Sequence, residues 1–262
     1  MIIDTHCHLN DKQYIDDLDA VLERAKQAGV VATIIPGADP KELPRAIALC
    51  EAHEELYFSV GVHPYDIDAY DESLLRKHIS HPKCLAVGEC GLDYFRLPEE
   101  EAQKSENKRL QKEVFISQIK LAIEFDKPLI IHIREASQDS KMILIEQQAK
   151  KVGGVLHCYN ASPILLDLAE HGFYFGIGGV VTFKNAKKLV DILPQIPQDR
   201  LLIETDGPYL TPHPHRGERN EPQQTTLVIK KMAEILHISE QKLKNIALDN
   251  TKLLFKENFK LI

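Results

Sequence analysis

Short apolar runs alternate with longer amphipathic segments along the whole chain. The short runs are rich in β-branched residues and continuous in apolar character, which is typical of parallel strands that are covered by helices. Eight such runs predict strands at residues 2–4, 31–36, 57–62, 84–89, 128–133, 154–157, 173–177 and 201–204.

Amphipathic segments of helical length separate these runs. They lie at residues 16–28, 42–53, 72–80, 106–125, 137–150, 163–171 and 186–193, and two more follow the last strand at 222–236 and 239–255. Eight strands, each followed by a helix and without a linker or repeat, predict an α/β protein with a single (β/α)8 TIM barrel, with residues 1–262 as one domain. An open doubly wound sheet shares the alternation. Its nucleotide-binding form is disfavoured because no Gly-x-Gly-x-x-Gly motif follows the first strand.

Composition limits the classes of protein to which the chain can belong. Of its 262 residues, 44% are apolar and 27% are charged, as in ordinary globular proteins. The sequence shows neither a signal peptide nor an apolar run of membrane-spanning length, so we expect a cytoplasmic protein without membrane contact. The five cysteines are dispersed and odd in number, which favours reduced thiols over disulfides.

The net charge of −7 disfavours nucleic-acid binding through a broad basic face. It is still compatible with a phosphodiester substrate, because bound metal ions can supply positive charge locally. No feature of the sequence indicates an obligate protein partner.

Residues that bind metals or transfer protons recur at the carboxyl ends of the predicted strands, where (β/α)8 barrels carry their functional residues. His6 and His8 follow the first strand, and side chains two positions apart in a strand project to the same face. Their imidazoles are therefore expected to point the same way. A lone histidine at a strand end is usually structural, but six of the eight ends carry such a group, which predicts a common site.

Four imidazoles and two carboxylates make up the predicted ligand set: His6, His8, Glu89, His132, His157 and Asp206. One catalytic metal typically takes three protein ligands and a water, so six ligands suit two neighbouring divalent metals. Two such metals can activate a water and stabilise the leaving oxygen of an in-line displacement. Glu89 is central in the strand order and is predicted to bridge the metals. Asp206 is predicted to bind metal and to accept a proton from the attacking water, which makes both carboxylates candidate catalytic groups.

Two specific strings surround these carboxylates: Gly-Glu-Cys-Gly-Leu-Asp-Tyr at residues 88–94 and Glu-Thr-Asp-Gly-Pro-Tyr-Leu at residues 204–210. With shorter matches at 4–9, 61–64, 132–136, 157–159 and 219–222, the chain resembles, nearly end to end, the TatD-type metal-dependent deoxyribonucleases of the amidohydrolase superfamily. The resemblance implies that the six residues ligate divalent metals, with Mg, Mn or Zn as the candidates. It also implies hydrolysis of DNA phosphodiesters, often exonucleolytic from a 3′ end, so the expected partner is single-stranded or 3′-ended DNA.

The chain differs from the patterns of related proteins at two places. The family pattern after residues 157–159 usually continues Ser/Thr-Gly, whereas this chain has Asn160 and Ala161. Alanine resists backbone conformations that glycine permits, so we expect a different loop after the sixth strand, with consequences for substrate preference more than for metal binding. The fourth strand offers Glu89 rather than a lysine that can be carbamylated, which disfavours the phosphotriesterase-like and dihydroorotase-like branches.

Substrate contacts are predicted beside the same strand ends, at His63, Asp93, Tyr94, Arg134, Arg216 and Arg219. His63 is expected to contact phosphate or orient a water, with a structural role as the alternative. Arg134 shares a face with His132 and can grip a phosphate, unless it pairs with Glu89 or Asp93. Asp93 is expected to fix a ligand imidazole or to cap a loop.

The loops after the fourth and eighth strands supply the remaining candidates. Aromatic rings at Tyr94 and Phe95 can stack on a base, although packing under the next helix is the favoured alternative for Phe95. Arg216 and Arg219 lie in a basic, proline-punctuated loop beside Asp206. One of them is expected to contact phosphate, in competition with salt bridges to neighbouring glutamates.

Three functions are compatible with this site. The leading hypothesis is a two-metal hydrolase of DNA ends. The same ligands can also hydrolyse another ester or an amide, such as an aminoacyl-tRNA ester or a small cyclic amide. The third is a metal-loaded scaffold without turnover, which the carboxylates disfavour because a binding-only site needs no proton acceptor. Nitrogen and oxygen ligands of this kind accept several metals and do not select one.

Overall fold

Eight parallel strands form one sheet in which their spatial order follows the chain from β1 to β8. The computed structural model describes residues 1–256 and 258–259, so residues 257 and 260–262 of the predicted domain lie outside the described part. The strands are β1 Ile2–Asp4, β2 Val30–Ile35, β3 Leu56–Val60, β4 Cys84–Asp93, β5 Leu129–Arg134, β6 Gly154–Leu156, β7 Phe173–Ile177 and β8 Leu201–Ile203. All eight predicted strands are present, and β4 continues past its predicted end at residue 89.

Helices connect successive strands, and the (β/α)8 barrel prediction is confirmed. They are α1 Leu18–Gln27, α2 Leu43–Ala52, α3 Glu72–His78, α4 Glu101–Glu124, α5 Ser137–Glu146, a 3₁₀ helix Pro163–His171, α6 Lys187–Ile192, α7 Thr225–Leu236 and α8 Glu240–Leu254. The first turns of α4 are charged and mostly exposed, so this helix begins before its amphipathic pattern does. Within the described residues, no helix combines the length and apolar character needed to cross a bilayer.

Hydrogen bonds just beyond β1 and β8 close the barrel. The Thr5 amide donates to the Ile203 carbonyl over 3.1 Å, and the Asp206 amide donates to the His6 carbonyl over 2.8 Å. The buried Asp4 carboxylate accepts from the Thr205 amide and hydroxyl, at 3.0 and 2.6 Å. Burial raises the pKa of Asp4 to about 8, against hydrogen bonds that lower it. Asp4 therefore links the end of β1 to the residues after β8. This link holds His6 beside Asp206.

Strands β3, β4 and β5 approach one another closely just before Glu89. A Cβ on Gly61 would lie 2.4 Å from the carbonyl carbon of Gly88, and a Cβ on Gly88 would lie 2.3 Å from the Ile130 oxygen. Only glycine fits at such distances. The buried Ser59 hydroxyl donates to the Gly88 oxygen over 2.5 Å. This packing fixes the backbone from which the Glu89 side chain reaches the site.

Candidate metal centre

Three polar side chains converge where the ends of β1 and β8 meet. The Nε2 atoms of His6 and His8 lie 3.3 Å apart. The Asp206 Oδ1 atom lies 3.5 Å from the His8 nitrogen and 3.7 Å from that of His6. The side-chain directions expected for the His6-x-His8 pair are therefore found, because both imidazoles face one carboxylate.

Glu89 lies between two groups of imidazoles, and each of its oxygens faces a different group. Its Oε2 atom is 3.3 Å from the His6 Nε2 and 3.8 Å from that of His8. Its Oε1 atom is 2.9 Å from the His132 Nδ1 and 3.7 Å from the His157 Nε2. The geometry thus brings the six predicted ligands into one cluster with Glu89 at its middle.

His63 also reaches this cluster. Its Nε2 atom lies 3.6 Å from the Glu89 Oε1, and its ring packs edge-on against that of His132 with centroids 4.4 Å apart. Burial lowers the pKa of His63 to about 4, although the Glu89 charge opposes the shift. Its Nδ1 accepts the Tyr65 amide proton over 3.1 Å, so the neutral ring carries its own proton on Nε2. His63 therefore presents a hydrogen-bond donor to the site rather than a free nitrogen lone pair.

The remaining donors fit a divalent metal in chemistry and in spacing. Within the described residues, the spacing of donor atoms gives three overlapping groups: His6, His8 and Asp206; His6, Glu89 and His157; and His63, Glu89 and His132. His63 is set aside from the third group because its Nε2 carries a proton. Burial alone would raise the pKa of Glu89, but the surrounding imidazoles hold it well below its usual range. Burial likewise opposes a charge on His157, but Glu204 and Glu89 raise its pKa to about 10. The ionised carboxylates are therefore stabilised by positive charge nearby. A divalent cation would supply that charge while the imidazoles stay neutral.

Comparison with known proteins agrees with this geometry. The family model described as TatD related DNase matches residues 3–256. The chain belongs to this family. It is a metal-dependent hydrolase, as the family and the clustered donors together establish.

Relatives of this TatD-family protein match it along nearly their whole lengths. It is 43% identical to the uncharacterized metal-dependent hydrolase YabD of Bacillus subtilis, over 98% of this chain and 100% of that protein. It is 33% identical to the 3′-5′ ssDNA/RNA exonuclease TatD of Enterobacter lignolyticus, over 97% of this chain and 98% of the relative. Its fold matches the crystal structure of YJJV, a TatD homologue from Escherichia coli, with a TM-score of 0.87 and 30% identity, covering 97% and 98% of the two chains.

Two buried carboxylates behind the cluster contact the outward nitrogens of its histidines. Asp93 Oδ2 lies 2.9 Å from the His132 Nε2, while the other nitrogen of that ring faces Glu89. Glu204 Oε1 lies 3.1 Å from the His157 Nδ1 and accepts the Cys158 amide over 2.6 Å. Such contacts orient ligand imidazoles and raise their basicity. Asp93 is fully buried and lies away from any substrate path, against His132, which is the place expected of a residue that fixes a ligand imidazole.

Tyr94 and Phe95, the aromatic candidates after β4, lie in surroundings opposite to those expected. The Tyr94 hydroxyl donates to Asp139 over 2.8 Å, and the Lys108 ammonium lies 4.6 Å from the centre of the Tyr94 ring. Tyr94 thus packs against α4 and α5, and the prediction that it stacks on substrate is corrected to a structural role. Phe95 is instead 50% exposed, contrary to the favoured alternative. The Arg134 guanidinium stacks on the Phe95 ring at 3.6 Å and forms no ion pair with Glu89 or Asp93.

The two arginines after β8 have different surroundings. Arg219 donates to both oxygens of Asp17, each over 2.7 Å, and to Glu221 over 2.8 Å. Its predicted phosphate contact is corrected, because these carboxylates already satisfy the guanidinium. Arg216 lies 3.8 Å over the ring of Phe183. Its contact with phosphate stays a prediction.

Two exposed tyrosines at the mouth of the barrel were not predicted from the sequence as site residues. Tyr65 follows β3 and is 40% exposed, and Tyr209 follows β8 and is 52% exposed. The Tyr209 ring centroid lies 6.0 Å from that of His8. Both tyrosines directly follow a proline near a candidate site residue, and this spacing was the signal that could have identified them.

The loop after β6 keeps a conformation that suits glycine although it carries alanine. Ala161 adopts a φ of +58°. Asn160 fixes the loop, because its amide donates to the Ile133 carbonyl over 3.2 Å and its oxygen accepts the Ser162 amide over 3.1 Å. The Asn160-Ala161 departure is therefore accommodated in a left-handed backbone.

Ala161→Gly is expected to raise the free energy of unfolding by about 0.5–1 kcal/mol. Removing the Cβ relieves the left-handed strain, and the added flexibility of the unfolded chain cancels part of the gain. Urea denaturation measures the change. Ala169→Gly, at a buried position of the 3₁₀ helix, is the control and should lower stability. Equal losses in the two variants would contradict the prediction.

Proposed function

We propose that this protein hydrolyses phosphodiester bonds at the 3′ ends of single-stranded DNA with two divalent cations. The observation that carries the proposal is the position of Glu89, whose Oε2 lies beside His6 and His8 and whose Oε1 lies beside His132 and His157. His6, His8, Glu89 and Asp206 would hold one cation. Glu89, His132 and His157 would hold the other. Mg, Mn and Zn are the candidates that the family resemblance implies; the imidazoles suit Zn, and the carboxylates suit Mg and Mn.

When bound, the cations would lower the pKa of water and neutralise charge on the phosphodiester. The protein's own groups would then move the protons. Burial would raise the pKa of Asp206, but hydrogen bonding to His8 and nearby imidazole charges hold it below the ordinary value. The Asp206 carboxylate is therefore ionised at neutral pH and can accept a proton from the attacking water. The Nε2–H of His63 can donate to a phosphate oxygen, which suits the predicted substrate role of that residue.

The substrate class draws on the relative from Enterobacter lignolyticus, named a 3′-5′ ssDNA/RNA exonuclease. The resemblance of the sequence to TatD-type deoxyribonucleases also implies DNA ends. A metal cage of this kind can also serve an ester or an amide, so the test must compare substrates directly.

A substrate panel with controlled metal content tests the proposal. The purified protein is stripped with a chelator, and Mg²⁺, Mn²⁺ or Zn²⁺ is then restored. We expect cleavage of 3′-ended single-stranded DNA in the presence of metal and none in the chelator. The panel also contains RNA, a 3′-blocked strand, an aminoacyl-tRNA and a small cyclic amide. Turnover of the ester or amide without cleavage of DNA would overturn the proposed substrate, and metal binding without any turnover would favour a scaffold.

A further inference from the structure

Two exposed aromatic rings at the mouth of the barrel each lie beside an arginine. The Arg134 guanidinium stacks on the Phe95 ring at 3.6 Å. The Arg96 guanidinium lies 5.4 Å from the centre of the Tyr65 ring. We call these four residues, Tyr65, Phe95, Arg96 and Arg134, the aromatic rim. Because exposed apolar side chains that lie close together can mark a binding site, the rim is a candidate binding surface.

The aromatic rim adjoins the half of the metal centre that contains His63 and His132. The Tyr65 amide donates to the His63 Nδ1, and the two rings meet edge-on with centroids 4.8 Å apart. The Phe95 amide donates to the Asp93 Oδ1 over 2.8 Å. These hydrogen bonds couple the rim directly to residues around Glu89. A molecule that reacts at the metal centre can therefore touch the rim at the same time.

The charge of the aromatic rim opposes that of the protein as a whole. The chain has a net charge of −7, yet in residues 1–256 and 258–259 no carboxylate lies within ion-pair distance of the Arg96 or Arg134 guanidinium. Other arginines, such as Arg76 and Arg219, are paired with carboxylates. Unpaired guanidinium groups beside exposed rings suit a ligand that combines flat bases with phosphates. Single-stranded nucleic acid has this chemistry.

We propose that the aromatic rim is a nucleobase subsite, in which Phe95 stacks on an unpaired base near the 3′ end while Arg96 and Arg134 contact the flanking phosphates. The inference rests on the proposed function and deepens it. The metal centre engages the phosphodiester that is cleaved, and the rim engages a neighbouring base. A duplex end cannot offer that base without unpairing, so the rim would favour single strands.

The test pairs Phe95→Ala with removal of a base. A short 5′-labelled single strand, protected by phosphorothioate linkages at its 3′ end, binds the protein in Mn²⁺ and is followed by fluorescence anisotropy. Matched strands lack the base at each of the terminal positions in turn. We expect loss of one base, or the Phe95→Ala change, to weaken binding by about tenfold. The two changes together should cost no more than either alone, because both remove the same stacking contact.

Further variants separate stacking from general damage. Phe95→Trp keeps an aromatic face and should bind nearly as tightly as the wild type, and Met142→Ala, at a 47% exposed position on α5, should change nothing. Arg134→Ala should weaken binding and reduce its salt dependence, whereas Arg109→Ala, paired with glutamates on α4, should not. Metal content should be equal in all variants.

The outcomes distinguish the subsite from the proposed function. If the wild type cleaves single strands but no base position shows coupling to Phe95, the aromatic rim is not a base subsite. If the wild type cleaves no nucleic acid with any metal, the proposed function fails first. Loss of metal from the Phe95→Ala protein would also overturn the inference, because the weaker binding would then have another cause.

Discussion

The Glu89→Gln variant is expected to lose metal-dependent hydrolysis by roughly a thousandfold or more and to bind fewer divalent cations per chain. The carboxylate has one oxygen beside His6 and the other beside His132, so it links the two imidazole sets through both of its oxygens. Glutamine keeps the shape and removes the negative charge. A negative charge between two bound cations would offset their mutual repulsion, and the amide would not provide that charge.

Metal stoichiometry and steady-state kinetics measure this result. Glu135→Gln makes the same chemical change at an exposed position after β5 and should keep both metal content and activity. Because Glu89 is buried, thermal unfolding is measured as well, to show that the variant still folds. Glu89→Asp is a second variant, which keeps the negative charge on a shorter side chain. A Glu89→Gln protein with two tightly bound cations and unchanged turnover would refute the bridging role.

The position of the site was predictable from sequence because the chemistry is local to strand ends. In a parallel barrel every carboxyl end faces the same side, so residues such as His6, His132 and Asp206 meet without any detailed knowledge of packing. The end of β4 was not predictable in the same way. Close packing at Gly88 and a shift in register between Val87 and Cys90 let the strand continue beyond Glu89. Neither feature produces a periodic signal.

The surroundings of individual side chains were predictable only where their partners lie nearby in sequence. Arg219 is neutralised by Asp17, which is distant along the chain and meets it only through closure of the barrel. Arg134 stacks on an aromatic ring, so the alternative of an ion pair with Glu89 or Asp93 is not found. The donor state of His63 depends on the backbone amide of Tyr65. Each outcome depends on loop conformation, and the hydrophobic pattern does not encode it.

Under the proposed function an acidic protein binds a polyanion, so its positive charge has to be localised at the site. In this chain, two sources lie side by side. One is the cluster of imidazoles and carboxylates around Glu89, which would hold divalent cations. The other is the aromatic rim, whose two arginines have no carboxylate within ion-pair distance in the described part of the chain. The acidic remainder of the surface would discourage binding elsewhere along the nucleic acid. Specificity for a strand end would then come from the shape of the barrel mouth and from the rim, not from net charge.

Asp206→Asn is expected to lower kcat by about a hundredfold to ten-thousandfold while leaving much of the metal bound. His6, His8 and Glu89 still offer donors to the first cation, so binding is weakened rather than abolished. The amide, however, cannot accept a proton at neutral pH. Asp206 has a φ of +60°, and asparagine tolerates this left-handed conformation well, so the backbone should be retained.

The pH profile separates proton transfer from metal binding in this variant. The pKa of Asp206 is depressed, so its carboxylate is ionised above that pKa and becomes protonated as the pH falls through it. The activity of the wild type should therefore fall at the acid end of the pH profile. In Asp206→Asn, measured at saturating metal, the part of this fall that comes from protonation of Asp206 should be absent. Asp68→Asn, at an exposed position after β3, is the control and should follow the wild type. An unchanged kcat would exclude Asp206 as proton acceptor. A fall in activity that excess metal fully restores would assign Asp206 to metal binding alone, because a missing proton acceptor cannot be replaced by occupancy of the site.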